Sequence, residues 1–322
     1  MRSYWLVASE TEARIEPRET SVPEPGPTQM LVRVRAAGLN RGEFIIGGLT
    51  KAGSAKALGI EGAGEVVKVG AQVTRFAPSA RVMGRFPGAM AEYVLAEETQ
   101  AMVVPEPLTW EEAGALPTTF MVGHDMLMLQ GGLQAGGWLL VTGVTSGVGV
   151  ASLQIAKALG AKVIGTSGSQ AKLDKLAPLG LDIAICSRNA DFHAQVMAAT
   201  GGAGVNLVVN NVGGTVFAEC VRCLAFEGRL ATVGYVDQVL KAEIDLQALH
   251  AKRLVLFGVS QKMTSPAQKA EGTRLFAAQV LPLVAAGKLR PLIDTVFPFA
   301  EVPAARARMA ANAHVGKIVI AA

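Results

Sequence analysis

The fold is decided by the stretch Leu139-Leu-Val-Thr-Gly-Val-Thr-Ser-Gly-Val-Gly-Val-Ala-Ser-Leu-Gln-Ile-Ala-Lys-Ala-Leu-Gly160. Its pattern predicts a buried strand, a glycine-rich turn and an amphipathic helix that a glycine closes. Nucleotide pyrophosphates bind at such turns, because small residues let the backbone approach and the helix N-terminus offers free N–H groups. We therefore predict a dinucleotide site here, with the candidate contacts Thr145, Ser146, Gly147, Val148 and Gly149.

The central position of this turn indicates how the chain is divided. The chain has 322 residues, a length at which a single hydrophobic core rarely suffices. Half of the residues are hydrophobic, 17% are charged and 36 are glycines, which is typical of a large α/β core with many tight turns. The sequence therefore predicts an N-terminal domain followed by a dinucleotide-binding domain.

The two parts of the chain differ in their hydrophobic pattern. Up to about residue 105, short β segments such as Met30–Ala36 alternate with turns, which predicts a compact β-barrel-like domain. From about 120 to 260, short apolar runs alternate with helical segments, which predicts a doubly wound parallel sheet covered on both faces. Beyond it we expect a helix over Ala267–Ala286, a strand over Asp294–Phe297 and a terminal strand over Gly316–Ile320.

The end of the next strand indicates which dinucleotide binds. In an NAD-binding domain, an acidic residue at this position accepts a hydrogen bond from the ribose 2′-hydroxyl. Here the strand Lys162–Gly165 leads to Thr166 and Ser167, and Ser167 and Lys172 offer a hydroxyl and a cation instead of an acid. This favours NADPH over NADH, because a cation attracts a 2′-phosphate. The alternative is that Lys172 is a solvated residue at the start of the next helix.

Charge, cysteine content and hydrophobic runs indicate which classes of partner and which cellular compartment to expect for the protein. The net charge is +4, but the basic residues are scattered and aromatic residues make up only 5%, so no nucleic-acid partner is expected. Three cysteines are too few for a disulfide scaffold and fit a reducing compartment. No apolar run reaches the roughly 18 residues that span a bilayer, and the N-terminus lacks a signal-peptide core. We expect a cytoplasmic protein with no membrane partner.

Six segments together resemble the medium-chain dehydrogenase/reductase superfamily, and specifically its zinc-independent quinone oxidoreductase (zeta-crystallin-like) branch. The resemblance runs from about residue 2 to the C-terminus. The segments are Ala36-Ala-Gly-Leu-Asn-Arg-Gly-Glu-Phe44, Leu58-Gly-Ile-Glu-Gly-Ala-Gly-Glu-Val66, Ala113-Gly-Ala-Leu-Pro117, the glycine turn, Val209-Asn-Asn-Val-Gly-Gly214 and Val315-Gly-Lys-Ile-Val-Ile320.

The resemblance implies a domain plan and an activity. A GroES-like β-barrel catalytic domain would comprise residues 1–118 and 262–322, and a Rossmann NADPH-binding domain residues 119–261. The implied reaction transfers hydride from NADPH, without a metal, to a quinone or to the β-carbon of an α,β-unsaturated carbonyl. An enoyl-thioester reductase of the same superfamily and a non-catalytic NADPH- or RNA-binding protein remain alternatives. Relatives are often dimers, so a homodimer is implied as well.

The residues at the superfamily's metal positions predict that no zinc is bound. The zinc-dependent members use a cysteine after the first segment and a histidine in the second, where this chain has Leu39-Asn40 and Ile60. Four clustered cysteines, which a structural zinc site needs, are lacking in the first half. Cys220 and Cys223 are spaced as Cys-x-x-Cys, but on a helix-like segment this pair is interpreted as core packing.

Two residues are candidates for catalysis. Asn40 matches the family asparagine near the nicotinamide ribose and the substrate, and its alternative role is that of a turn residue. His124 stands where relatives commonly have tyrosine, and its ring offers a hydrogen bond to a substrate oxygen. A histidine satisfied by the backbone is the equally weighted alternative. Val122 replaces the family threonine that lies near the cofactor, which removes a hydroxyl there.

The resemblance implies further cofactor contacts at the ends of the later strands. Ser187 replaces a tyrosine that touches the 2′-phosphate in many relatives, so Arg188 or Lys172 is expected to carry more of that contact. The remaining candidates follow or end strands, where doubly wound sheets bind their ligands. They are Asn211, Gly234, Tyr235, Phe257, Gly258 and Val259.

Overall fold

The computed structural model describes residues 1–8, 13–44 and 54–322, and these divide into two compact units. Unit 1 comprises Met1–Thr118 and Pro266–Ala322, and unit 2 comprises Thr119–Ser265. The segment that returns to unit 1 starts in the same loop as the expected domain boundary at residue 262.

Unit 1 is built on two sheets. A larger sheet has the order β15-β16-β3-β5-β6-β8, with β7 also paired to β3, and a smaller one has the order β2-β1-β4. All strand pairs are antiparallel except β15 with β16. The strands are β1 (Arg2–Ala8), β2 (Ala13–Glu19), β3 (Gln29–Gly38), β4 (Ala55–Ala57), β5 (Gly62–Val69), β6 (Arg81–Gly84), β7 (Tyr93–Glu97), β8 (Ala101–Val103), β15 (Ile293–Pro298) and β16 (Lys317–Ala321).

Short helices complete unit 1. They are α1 (Trp110–Ala115), α8 (Pro266–Gln279), α9 (Leu281–Ala285) and α10 (Val302–Ala310), with a 3-10 turn at Arg41–Phe44. The single helix expected over Ala267–Ala286 is divided into α8 and α9. Pro282 is the reason, since it lacks the N–H that would continue the hydrogen bonding of one helix through this point.

Unit 2 contains a six-stranded parallel sheet of order β11-β10-β9-β12-β13-β14. The strands are β9 (Trp138–Thr142), β10 (Lys162–Ser167), β11 (Ile183–Cys186), β12 (Val205–Asn210), β13 (Leu224–Thr232) and β14 (Val255–Gly258). The helices between them are α3 (Gly147–Ala158), α4 (Gln170–Asp174), α5 (His193–Ala199), α6 (Phe217–Arg222) and α7 (Leu246–Ala251), and α2 (Pro117–His124) leads into the unit.

The sheet of unit 2 positions the candidate cofactor residues. Its central strands β9 and β12 are buried along almost their whole length, as expected for parallel strands covered on both faces. The chain order reverses between these two strands, so a crevice opens at their carboxyl ends. None of the described helices is both long and apolar enough to cross a lipid bilayer.

Candidate functional site

The predicted cofactor residues of unit 2 lie along one edge of its sheet, apart from Val122 on α2. Parallel strands share a direction, so the segments that follow their carboxyl ends meet at the same edge. The segments follow β9 (Thr145–Gly149), β10 (Lys172, with Ser167 the last residue of the strand), β11 (Ser187, Arg188), β12 (Asn211), β13 (Gly234, Tyr235) and β14 (Val259, with Phe257 and Gly258 the last two residues of the strand).

The glycine turn after β9 is held in place by its own backbone and by Ser146. Gly143 adopts φ +64°, and its carbonyl accepts the Ser146 N–H at 3.1 Å. The Ser146 hydroxyl caps α3 by accepting the Gly149 N–H at 3.1 Å. The N–H groups of Gly147 and Val148, in the first turn, have no carbonyl partner within the helix. They are therefore available to an anion.

Gly149 tolerates no side chain in this turn. A Cβ there would lie 2.5 Å from the Val144 carbonyl oxygen and 2.7 Å from that of Gly143, both backbone atoms. The backbone of the turn thus packs directly on the first turn of α3, and a pyrophosphate approaches bare main chain.

At the end of β10 the structure brings an arginine onto a glycine. A Cβ at Gly168 would lie 2.5 Å from Cγ, 2.7 Å from Nε and 2.9 Å from Cζ of Arg188, so the arginine side chain occupies that space. The Ser187 hydroxyl instead donates to Asp191 at 2.6 Å. Arg188, rather than Ser187, is therefore the residue that presents its side chain to the end of β10, beside Ser167.

At the point where the strand order of the sheet reverses, Asn211 links the ends of β12 and β9. Its Nδ2 donates to the Thr142 carbonyl at 2.9 Å and its N–H donates to the Thr142 hydroxyl at 3.2 Å. The Thr142 hydroxyl in turn donates to Asn210 Oδ1 at 3.1 Å. Asn211 is thus tied to the end of β9.

A cavity of about 250 Å³ lies beside the ends of β12 and β13. Tyr235, half exposed, lines it together with the loop Val239–Ala242, which sequence reasoning did not consider. Asp237 holds this loop against the start of α6, because its carboxylate accepts N–H groups of Thr215 at 2.8 Å and Val239 at 2.9 Å. No sequence signal distinguished this loop from an ordinary surface turn.

His124 is the last residue of α2 and is 1% exposed. The helix then widens into a π-helical turn over Asp125–Leu129, a distortion that is frequent at functional sites. Burial raises the pKa of Asp125, against hydrogen bonds from Gln130 and the attraction of His124. Val122 lies on the same helix and is half-buried. For His124, a hydrogen bond to a substrate oxygen and a hydrogen bond to the backbone both remain predictions.

Unit 1 contains a hydrogen-bonded group of four polar side chains, here called the Asn40 cluster: the half-buried Asn40 and the buried Glu43, Glu61 and Lys317. Glu61 is 0% exposed and Lys317 4%. The Lys317 ammonium donates to Glu61 Oε1 at 2.6 Å, to Asn40 Oδ1 at 2.8 Å and to the Leu39 carbonyl at 3.0 Å. Of these residues sequence reasoning identified only Asn40 as a site residue.

Glu61 and Glu43 accept the remaining donors of the cluster. Glu61 Oε2 accepts the Thr118 N–H at 2.6 Å, and Glu43 Oε2 accepts the Gly59 N–H at 2.9 Å. Burial raises the pKa of Glu43 to about 7, although hydrogen bonds from Asn40 and the charge of Lys317 oppose this shift. The cluster thus contains a carboxyl group that titrates near neutral pH.

In the part of the chain that the structure describes, the side chains that could ligate zinc do not come together. In the described ranges 1–8, 13–44 and 54–322, no group of three or more histidine, cysteine, aspartate or glutamate side chains is arranged to hold a metal. Glu61 is paired with Lys317 instead. Cys220 and Cys223 are free and buried in the core of unit 2, and burial raises the pKa of both thiols.

Two family models match the chain. The model described as "Alcohol dehydrogenase GroES-like domain" matches residues 26–106, and the model described as "Zinc-binding dehydrogenase" matches residues 147–276. Together with the parallel sheet of unit 2, they confirm the predicted fold class of a GroES-like domain with a Rossmann-type domain.

Individual relatives match most of this chain. A probable oxidoreductase from Mycobacterium abscessus is 30% identical, with a TM-score of 0.85 over 100% of this chain and 99% of that chain. A quinone oxidoreductase from Pseudomonas syringae pv. tomato DC3000 is 26% identical, with a TM-score of 0.87 over 100% and 99%.

Among curated proteins, the pikromycin polyketide synthase component PikAII of Streptomyces venezuelae is 34% identical over 94% of this chain and 8% of that protein. The chain spans 8% to 14% of the length of eight curated relatives, all of which are polyketide synthases.

Proposed function

The chain belongs to the medium-chain dehydrogenase/reductase superfamily, and from that membership we propose that it reduces quinones or α,β-unsaturated carbonyls with NADPH and without a metal. The observation that carries the metal-free part of this proposal is the Glu61–Lys317 ion pair at 2.6 Å in the polar centre of unit 1. The Lys317 ammonium is the countercharge of the Glu61 carboxylate, which is therefore not free to act as a metal ligand. The resemblance to a quinone oxidoreductase supports the acceptor class.

The residues of unit 2 fit NADPH. The bare backbone at Gly149 and the first N–H groups of α3 would hold the pyrophosphate. Arg188 and Lys172 would hold the 2′-phosphate at the end of β10, where the strand ends in Ser167 rather than in an acidic residue. When bound, the cofactor supplies the hydride. Water is a sufficient source of the proton that completes the reduction, so no side-chain acid is required.

We expect the purified protein to oxidise NADPH when it is given a simple benzoquinone or an enone such as 1-octen-3-one. The rate is to be followed by the loss of nicotinamide absorbance, and a chelator such as 1,10-phenanthroline should leave it unchanged. Loss of activity with the chelator, with recovery on adding zinc, would contradict the metal-free reaction. Absence of turnover with every acceptor would contradict the proposed activity.

A second candidate is an enoyl-thioester reductase. The similarity to polyketide synthases over one short part of their length favours it, because such enzymes carry their intermediates as thioesters. The same assay with a short enoyl thioester separates the two candidates. A kcat/KM for the thioester at least about a hundredfold above that for quinones, a difference of about 2.7 kcal/mol in transition-state stabilisation, would assign the thioester.

Cofactor preference is expected to depend on Arg188 and Lys172. Replacing either with alanine should weaken NADPH binding by roughly ten- to a hundredfold while NADH binding changes little, since hydrogen bonds to charged groups contribute about 1.5–3 kcal/mol. Lys162→Ala, at the opposite end of β10, is the matched control. Fluorescence titration with both cofactors measures the effect. Equal losses for NADPH and NADH would show that neither residue recognises the phosphate.

We further propose a homodimer that forms at the edge of the unit 2 sheet. Among the described strands, β14 pairs only with β13, so its other edge is open. Large apolar side chains of the segment 226–263 are exposed: Phe226 by 61%, Leu246 by 68% and Met263 by 97%. Open apolar edges readily pair with a second strand. Light scattering should give twice the mass of 33.5 kDa, and Val255→Lys should lower it to one chain.

A further inference from the structure

The Asn40 cluster leaves the Asn40 carboxamide with a single orientation. Its Nδ2 lies 2.8 Å from Glu61 Oε1, 3.1 Å from Glu43 Oε1 and 3.2 Å from the Gly38 carbonyl, all of which are acceptors. Its Oδ1 lies 2.8 Å from the Lys317 ammonium, which is only a donor. A flipped amide would place NH₂ against an ammonium and a carbonyl against two carboxyl groups. The exchange of oxygen and nitrogen is therefore excluded by chemistry.

The N–H donors of Lys317 and Asn40 are all used within the network. Lys317 has three N–H groups and makes three hydrogen bonds. The backbone N–H of Asn40 donates to Glu43 Oε1 at 2.9 Å. Glu61 lies so close to the main chain that a Cβ at Gly38 would be 2.5 Å from its Oε1. No N–H of Lys317 or of the Asn40 amide group is left for a ligand.

What Asn40 still offers is one lone pair on Oδ1, because a carbonyl oxygen has two and Lys317 occupies one. Asn40 is half-buried, whereas Glu61 and Lys317 are buried. Asn40 is thus the member of the cluster that is not fully buried, and the hydrogen-bonding capacity that it retains is that of an acceptor.

We propose that Glu43, Glu61 and Lys317 are positioning residues that hold Asn40 as a hydrogen-bond acceptor toward the bound ligand. This inference rests on the proposed function and on the role that the family resemblance implies for Asn40, near the nicotinamide ribose and the substrate. The ligand group that it recognises is then a hydroxyl or N–H donor, such as a sugar hydroxyl. Asn40 does not polarise the carbonyl oxygen of the electron acceptor, since that task needs a donor.

The test is the hydrogen exchange of the Asn40 side-chain NH₂, followed by NMR in the ¹⁵N-labelled full chain and assigned with Asn40→Ser. In the free protein we expect exchange at least about tenfold slower than for the exposed Asn189 side chain, and NADPH should leave it unchanged. Exchange as fast as that of Asn189 would overturn the proposal. So would slow exchange that appears only with NADPH, because the NH₂ group would then donate to the ligand.

A kinetic test separates positioning from a merely structural role. In the charge-balanced variant Glu61→Gln/Lys317→Met, kcat should fall by about tenfold or more while KM changes less than about twofold, because small misplacements of site groups slow catalysis strongly. The matched control Glu271→Gln/Arg274→Met removes an exposed pair of unit 1 and should keep the wild-type kcat. A folded variant with kcat within about twofold of wild type would overturn the proposal.

The NMR exchange measurement and the kinetic measurement do not depend on each other. If the double variant does not fold, the exchange measurement on the wild-type chain decides the proposal. If no acceptor is reduced, the proposed function fails, whereas the exchange rate still reports whether the cluster holds the Asn40 donors.

Discussion

Lys317→Met is expected to lower the free energy of unfolding by about 3–5 kcal/mol, because it leaves the Glu61 carboxylate buried without its countercharge. This is a large share of the roughly 5–15 kcal/mol that stabilises a typical protein. The substitution also removes the ammonium that donates hydrogen bonds to Asn40 Oδ1 and to the Leu39 carbonyl. Denaturant unfolding monitored by tryptophan fluorescence measures the change.

Removing both charges should be much less harmful than removing one. In Glu61→Gln/Lys317→Met no unpaired charge remains, so most of the lost stability should return. Arg274→Met, which breaks an exposed pair with Glu271, should change stability by less than about 1 kcal/mol. A double variant as unstable as Lys317→Met would show that shape, rather than charge, is what Lys317 contributes.

Gly149→Ala is expected to have the second large effect. Its Cβ would press on the carbonyl oxygens of Val144 and Gly143, which cannot move unless the turn opens. Overpacking of this kind costs typically about 1–3 kcal/mol in stability. An opened turn no longer presents its N–H groups to the pyrophosphate, so NADPH affinity should fall by about a hundredfold or more.

Gly272→Ala is the matched control for this substitution. Gly272 also lies in a helix, α8, and nothing lies within 4 Å of the position that its Cβ would take. Alanine there should stabilise the chain by about 0.5–1 kcal/mol, since glycine is the weaker helix former. Calorimetry and NADPH titration on both variants give the comparison. Wild-type affinity in Gly149→Ala would show that the pyrophosphate does not bind at this turn.

Local patterns predicted the parallel sheet well, because its signals lie within short stretches of chain. The strands β9 and β12 are nearly continuous apolar runs, and the glycine turn follows β9 directly. The candidate cofactor residues that follow or end these strands are placed at one edge by topology alone. The break between α8 and α9 was missed, although Pro282 is a clear local signal for it.

The Asn40 cluster was out of reach of local reasoning. Lys317 and Glu61 are separated by 256 positions, and no periodicity connects them. One signal was available, however. Lys317 begins a strand whose other residues are almost all buried and apolar, and a lysine in such a place requires a partner. Similarly, the contact of Arg188 with Gly168 depends on the pairing of β10 with β11 rather than on either sequence.

The distance along the chain between Glu61 and Lys317 also has a consequence for biosynthesis. A ribosome makes Asn40, Glu43 and Glu61 first, then all of unit 2, and only afterwards β16 with its lysine. Domains generally fold as they are made, from the N-terminus onward. Until β16 has been made, Glu43 and Glu61 in the N-terminal part of unit 1 lack the positive charge of Lys317. Unit 2 can therefore fold before unit 1, which is completed only after β16 has left the ribosome.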